Sequence, residues 1–333
     1  MTAQKIKVLG AGAALLDVLA HVDDDFVLQH AGEKGGMIML SPDEIGTLIR
    51  LAESAAPISR ASGGSAANTL CGLAQLGIPA ALFGKIGADE NGAVYRDFYA
   101  SKGGLTSSFK VNPQVATGSC LCLITPDSQR TMRTDLGASG TLAADDVTDA
   151  DFDGVTHLHL EGYLLYNMPV TRTLLAAAKR FGCTVSFDLA SFEVVRTFRD
   201  DIKQLLAEYV DLIFANEDEA AAFSGSEDPM TSLQCLRELC HTVCVKVGKN
   251  GAYIASENTD PVHVPAELVT AVDTTGAGDL WQTGFLYGWL RGKDNALSGR
   301  YGAAVAAEVV QLTGAQITEA RWEVLRQRLA EME

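Results

Sequence analysis

The chain has 333 residues, 47% of them hydrophobic, enough for a sizeable core in one large α/β unit or in two domains. Its formal net charge of −16 creates a field that repels polyanions, so nucleic acid and anionic membrane surfaces are not expected partners. An anionic small ligand would need a local trap.

The opening "MTAQKIKVLGAGAALLDVLA" has no long uncharged apolar run, and Asp17 interrupts what there is; neither a signal peptide nor a membrane span is readable. The seven cysteines contain no C-x-x-C. Cys120 and Cys122 are separated by one residue, and Cys235, Cys240 and Cys244 lie on a helix-like stretch running into an apolar one. This spacing suits neither a disulfide framework nor a zinc site, and reduced core thiols in a cytoplasmic protein are the expectation.

Strands are predicted at 5–10, 80–86, 155–160, 184–188, 212–215 and 243–247, with helix-period segments between them, the signature of βα units and a largely parallel sheet. Ala66, Leu70, Leu73 and Ala74 share one helical face, as do Val170, Leu174, Ala178 and Phe181. Gly77 followed by Pro79, and Gly182 after Phe181, supply the stop signals. Two stretches, 14–40 and 107–137, break the alternation with alternating residues around turn signals. The expected organisation is a large α/β unit of 1–13, 41–106 and 138–333 carrying a small β lid of 14–40 and 107–137.

Several glycine motifs fail on inspection. Gly10-Ala11-Gly12 follows a strand, but Leu15 stands at the third position of G-x-G-x-x-G, where close helix–strand approach needs a small residue. An oxidoreductase built on a dinucleotide at that turn is disfavoured accordingly. Gly84-Lys85 resembles the end of a P-loop, yet Ile86 replaces the magnesium-binding hydroxyl, and Gly248-Lys249-Asn250 fails in the same way. No G-x-S-x-G frame surrounds Ser224 or Ser226 in "FSGSED".

"DTTGAGDLWQTGFLYGWL", beginning at Asp273, passes this inspection. Gly276-Ala277-Gly278 lets the backbone approach a ligand, and the following helix aims free N–H groups and its positive dipole end at the same spot. Asp279, in the first helical turn, can accept a proton from a hydroxyl held nearby. An ordinary first-turn acid is the competing reading. The stretch "ASGGSAANTLCGLAQLG", residues 61–77, repeats the design, with Gly63-Gly64 ahead of a helix and Asn68 within its first turns. Asn68 both donates and accepts, which suits vicinal hydroxyls, while a plain N-terminus capped by Ser65 explains the same residues.

Together the two stretches resemble the signatures of the ribokinase-like, or PfkB, family of carbohydrate and nucleoside kinases; "FGKIGADENG" extends the N-terminal one. The resemblance implies a three-layer α/β/α fold with a mostly parallel central sheet and a small β-sheet lid. It also implies an ATP- and Mg2+-dependent transfer of the γ-phosphoryl group to an alcohol. Asp279 would be the base, with Gly276, Ala277 and Gly278 around the transferring group, and Asp17, Gly63, Gly64 and Asn68 on the acceptor.

"NEDE" matches the family's N-x-x-E, so Asn216 and Glu219 would organise the Mg2+–phosphate region through water, unless Asn216 only caps an acidic first turn. "VKVGKNGAYI" resembles the nucleotide-side strand and loop, with Gly248 and Gly251 under ATP and Lys246 where many relatives carry Thr. Asp273 matches the acid near the monovalent-cation (K+) site of some members.

"LLDVLAHVDDDFVLQH" and "HLEGYLLYN" look most like the adenosine kinase branch, making Tyr163 a candidate for stacking on a purine or simply a packing residue. Arg133, in "RTMRTDLG", is read either as a partner for an anionic substrate group or as a contact to lid acids. A nucleoside acceptor phosphorylated at its 5′-OH is thus expected, with ribokinase, fructokinase and 2-keto-3-deoxygluconate kinase activities as alternatives and a non-catalytic ligand sensor as the remaining class. Monomer and homodimer are equally compatible with the sequence.

Overall fold

The computed structural model describes residues 5–127 and 129–333. Nine strands form one sheet; in spatial order they are Val262–Val264, Ala252–Ser256, Thr242–Lys246, Leu212–Asn216, Thr184–Asp188, His157–Glu161, Val8–Ala11, Ala80–Gly87 and Phe109–Asn112. The six strands from Thr242–Lys246 through Val8–Ala11 to Ala80–Gly87 run parallel to their neighbours, and Phe109–Asn112 continues that sense at the far edge. The two strands at the other edge are antiparallel.

Central strands of a parallel sheet are covered on both faces and so lose hydrophobic alternation. Leu212, Ile213, Phe214 and Ala215 are all fully buried. Ile213 and Ala215 pack with Leu174, Val194 and Leu233 of the helices on one face, whereas Leu212 and Phe214 pack with Leu70 and Phe285 on the other. The expected α/β/α layering is what the chain adopts.

The second sheet has the order Met37–Met39, Arg130–Gly137, Thr117–Ile124, Leu15–His21, Ile58–Gly63. Its strand alternation splits the side chains cleanly. Val18, Ala20, Leu121 and Leu123 pack on the amphipathic helix Pro42–Ala55 through Leu48 and Ala52. Leu15, Asp17, Cys120 and Cys122 point the other way, toward the large unit.

This sheet corrects the expected division at both ends. The lid reaches past residue 40 to Gly63, because "ISRASG" forms its edge strand and Pro42–Ala55 covers its outer face. That edge strand has only two apolar side chains, Ile58 and Ala61, and no apolar alternation to mark it. Conversely Phe109–Asn112, placed in the lid from sequence, pairs with the large sheet. Among the described residues no helix is long and apolar enough to cross a membrane.

Candidate active site

Four adjacent parallel strands end in polar residues that line a single cleft of about 460 Å³: Glu161, Asp188, Asn216 and Lys246. Ligands of open α/β sheets bind at the carboxyl ends of the strands, where the helices that follow also begin. The inner face of the lid closes the opposite side with Asp17, Cys120, Cys122, Arg130, Met132 and Leu136.

The helices Ser65–Gln75 and Ala277–Trp289 cross closely enough that a Cβ on Gly72 would lie 2.5 Å from the Thr283 side chain. Thr283 Oγ1 donates to Thr69 O (3.0 Å) and Thr69 Oγ1 donates to Asp279 O (3.1 Å), fixing the register between them. Their N-termini therefore meet. Ser65 Oγ donates to Asp279 Oδ1 at 2.8 Å and Asn68 Nδ2 to Oδ2 at 2.9 Å, so two stretches some 200 residues apart converge on one carboxylate.

Desolvation raises the Asp279 pKa, Asp188 adds to the rise, and the hydrogen bonds from Asn68 and Ser65 together with the Lys246 ammonium oppose it. Gly276 precedes this helix with φ 72°, and a Cβ there would strike Ala315. The N–H groups of Gly278 and Asp279 have no acceptor among the described residues, which leaves them free for an anion.

Gly63 and Gly64 do different work. A Cβ on Gly63 would lie 2.2 Å from the Asp17 carboxylate, and Gly64, at φ 100°, passes within 2.3 Å (to a Cβ) of Ala13 O. Both positions need glycine, the first for space and the second for conformation as well. Ser65 is not the expected cap; its hydroxyl turns to Asp279 and to Asp188 (3.2 Å) instead. Asp17 faces the cleft from the lid, where desolvation lifts its pKa to about 7, Arg130 lowers it and Asp279 raises it further.

Asn216 and Glu219 form a reciprocal capping box: Asn216 Oδ1 accepts from Glu219 N–H, while the Glu219 carboxylate accepts from Asn216 N–H (2.8 Å) and Nδ2 (2.7 Å). Both residues also line the cleft, and burial followed by the nearby Asp188 raises the Glu219 pKa. Lys246 Nζ lies 3.9 Å from Asp188 and 3.2 Å from where a Cβ on Gly278 would be. An ammonium thus stands beside the glycine turn. Gly248 (φ 54°) and Gly251 (φ 95°) shape the turn after Lys246 and lie outside the cleft lining.

Tyr163 and Tyr166 both line the cleft, and Tyr163 also packs on the core, so the stacking and packing readings overlap in one side chain. Asp273 clasps its own loop: Oδ1 accepts from Thr275 N–H (2.8 Å) and Oγ1 (2.7 Å), and Oδ2 from Gly314 N–H (2.8 Å). Burial pushes its pKa up, but these bonds outweigh burial and hold it below the usual value.

Arg133 is a correction. Arg130, Met132, Thr134 and Leu136 face the cleft, so the intervening Arg133 points away, as strand pleating requires. It is 1% exposed, and its guanidinium donates to Ala31 O (2.8 Å), Glu33 O (2.7 Å) and Met132 O (2.8 Å), tying the lid strand to the loop before Met37. Arg130 holds the cleft position assigned to it.

Sequence reading also passed over Glu161 and Asp188. Glu161 is 1% exposed, accepts from Ala13 N–H (2.8 Å) and Ala66 N–H (3.0 Å), and has a pKa lifted to about 7, chiefly by desolvation. The available signal was an acid at the end of a predicted strand of the parallel sheet, in "HLHLE" and "TVSFD".

Comparison with known proteins agrees with this geometry. A family model described as pfkB family carbohydrate kinase matches residues 45–321. An adenosine kinase from Sinorhizobium meliloti superposes with a TM-score of 0.89 at 30% identity, covering 97% of this chain and 99% of that one. A probable sugar kinase from Rhizobium etli CFN 42 also gives 0.89, at 28% identity over 99% and 100% of the two chains. The ATP-dependent ribose-1-phosphate kinase of Halopiger xanaduensis is 30% identical over 258 residues, 77% of this chain and 83% of that protein. The chain therefore belongs to the pfkB family of carbohydrate kinases and is an ATP-dependent sugar or nucleoside phosphotransferase.

Proposed function

We propose that the protein transfers the γ-phosphoryl group of ATP to the hydroxymethyl oxygen of a nucleoside, an adenosine kinase-like reaction at the 5′-OH. The carrying observation is the Asp279 carboxylate, oriented by Ser65 and Asn68, facing Asp17 across one cleft and bordered by the free N–H groups of the Gly278 turn. Phosphoryl transfer leaves a protein little covalent work, so alignment and charge stabilisation carry the reaction. Asp279 accepts the acceptor's hydroxyl proton as the oxygen attacks, Asp17 accepts from ribose hydroxyls, and Lys246 with the turn's N–H groups stabilises the charge developing on the phosphoryl oxygens.

The lining beyond Asp17 supports a nucleoside over a bare sugar. Leu15, Met37, Met39, Met132, Leu136, Tyr163 and Tyr166 offer apolar and aromatic surface that a planar base can cover and a polyol cannot. Mg2+ fits the carboxylate oxygens at the nucleotide end, where it would neutralise phosphate charge. Glu219, with both oxygens already accepting from Asn216, suits contact through water. K+ beside the Asp273 clasp is a separate expectation, read by comparing rates in K+ and tetramethylammonium salts.

Arg130 favours one second reading, an acceptor carrying a phosphate or carboxylate, as the name of the Halopiger relative suggests for that protein. A coupled ADP-release assay with Mg2+ and ATP across adenosine, other nucleosides, ribose, ribose 1-phosphate, fructose and ketodeoxygluconate decides. The highest kcat/KM is expected on a nucleoside. A higher value on ribose 1-phosphate or ketodeoxygluconate selects the Arg130 reading, and no turnover with any of them points to a sensor.

A further inference from the structure

The lid wall of the cleft holds, beside Asp17, two thiols that the kinase reaction does not use. Asp17 and Cys120 are directly paired on neighbouring parallel strands, and Cys122 stands two residues further along the same face. One ligand atom from each lies within 4.8 Å of the others, and the two sulfurs are 3.8 Å apart. Two thiolates bound to one tetrahedral zinc ion, each at about 2.3 Å, sit about 3.8 Å from one another, the separation already present here. No side chain has to leave its strand to reach it.

We propose that Asp17, Cys120 and Cys122 form a binding site for a thiophilic divalent cation, Zn2+ or Cd2+, with its fourth position open to the cleft. Two thiols and a carboxylate are the ligand set such ions prefer, whereas Mg2+ selects oxygen donors and leaves thiols alone. Binding replaces two S–H bonds with two metal–sulfur bonds and releases both protons to solvent. Three anionic ligands around a dication leave one net negative charge, and Arg130 on the same wall offsets it. Thr134 Oγ1 already donates to Cys120 Sγ at 3.3 Å, an outer contact that holds the sulfur in place.

The occupied site uses the Asp17 oxygens and fills the acceptor end of the cleft, so the cation competes with the acceptor. This competition rests on the reading of Asp17 as an acceptor residue; metal binding itself does not.

The test uses the full-length protein, kept reduced with a non-thiol phosphine and free of nucleotide, titrated with Cd2+ and with Zn2+. One Cd2+ per chain is expected to raise a sulfur-to-cadmium charge-transfer band in the ultraviolet and to release protons to the buffer. Cys122→Ser and Cys120→Ser each remove most of the band, Asp17→Asn weakens binding by about tenfold or more, and Cys235→Ser changes nothing. Melting curves of the variants establish that they are folded. The absence of a band in the parent protein, or a band unchanged by Cys122→Ser, overturns the site. With Zn2+ present, the acceptor KM rises while the KM for Mg–ATP stays constant. A genuine cadmium–thiolate band accompanied by inhibition competitive only with Mg–ATP would keep the metal site and instead reject Asp17 as the acceptor residue.

Discussion

Asp279 sits where desolvation favours its neutral form, whereas the proposed base must be ionised; two donors on its carboxylate and the Lys246 ammonium oppose that shift, and the net direction stays upward. Asp279→Asn keeps the size and loses the proton acceptor. Its kcat is expected to fall by about 10² to 10⁴-fold with the KM for ATP within a few-fold; steady-state kinetics with saturating acceptor give the answer, and residual activity above a few per cent would remove the base from that position. Asp17→Ala is expected to raise the acceptor KM by about tenfold or more, roughly 1.4 kcal/mol of lost binding, an effect that an unchanged KM would contradict.

Asp17 also predicts a pH effect on stability. Its folded pKa of about 7 lies above the unfolded value of 3.8, so the native state binds a proton more tightly than the unfolded chain between those limits. The contribution is most favourable below pH 3.8 and is lost as pH rises toward 7. Asp17→Asn, which cannot ionise, should therefore melt several degrees higher than the parent at pH 8 and gain little at pH 4.5, measured by calorimetry without ligand. Asp17, Asn68 and Asp279 were legible as polar residues at the right motif positions. Arg133 was misread for Arg130 because two arginines three apart on a strand face opposite sides, and only a fixed register says which side is the cleft.

At the scale of elements, the site depends on two helices whose starting turns meet. The contact at Gly72 and Thr283 sets their approach, and nothing in either motif alone states that they touch. Gly72→Val pushes branched carbon into that contact. A stability loss of about 1–3 kcal/mol is expected from the overpacking, together with a fall in kcat larger than any change in ATP binding, since Asp279 drifts from Ser65 and Asn68. Chemical denaturation and kinetics on the same preparation separate the two effects. The parallel strands were legible because burial on both faces leaves uninterrupted apolar runs such as "LIFA". The lid strand Ile58–Gly63 was not, because a short edge strand of mostly small and polar residues carries no such run and is held by backbone pairing to Leu15–His21.

Over the whole molecule, function rests on how the lid sheet is carried above the strand ends of the large sheet. Arg133 belongs to this scale. Its three bonds to main-chain carbonyls brace the lid, and Arg133→Met would remove all three donors. The expected cost is about 1–3 kcal/mol, with a raised acceptor KM and an unchanged KM for ATP; equal effects on both would mean that the brace supports the whole fold and not the lid. The sequence by itself determined the layered α/β architecture, because the periods of 2 and 3.6 and the apolar runs are local consequences of which faces are buried. It also determined the family, through glycines that a close backbone approach requires at Gly64 and Gly276. Only the tertiary structure decided that Ser65 serves Asp279, that Glu161 and Asp188 join the cleft, and that Asp17 stands beside two thiols. Those relations are between elements far apart in the chain, and their geometry is fixed by strand register and helix crossing, which no single stretch of sequence encodes.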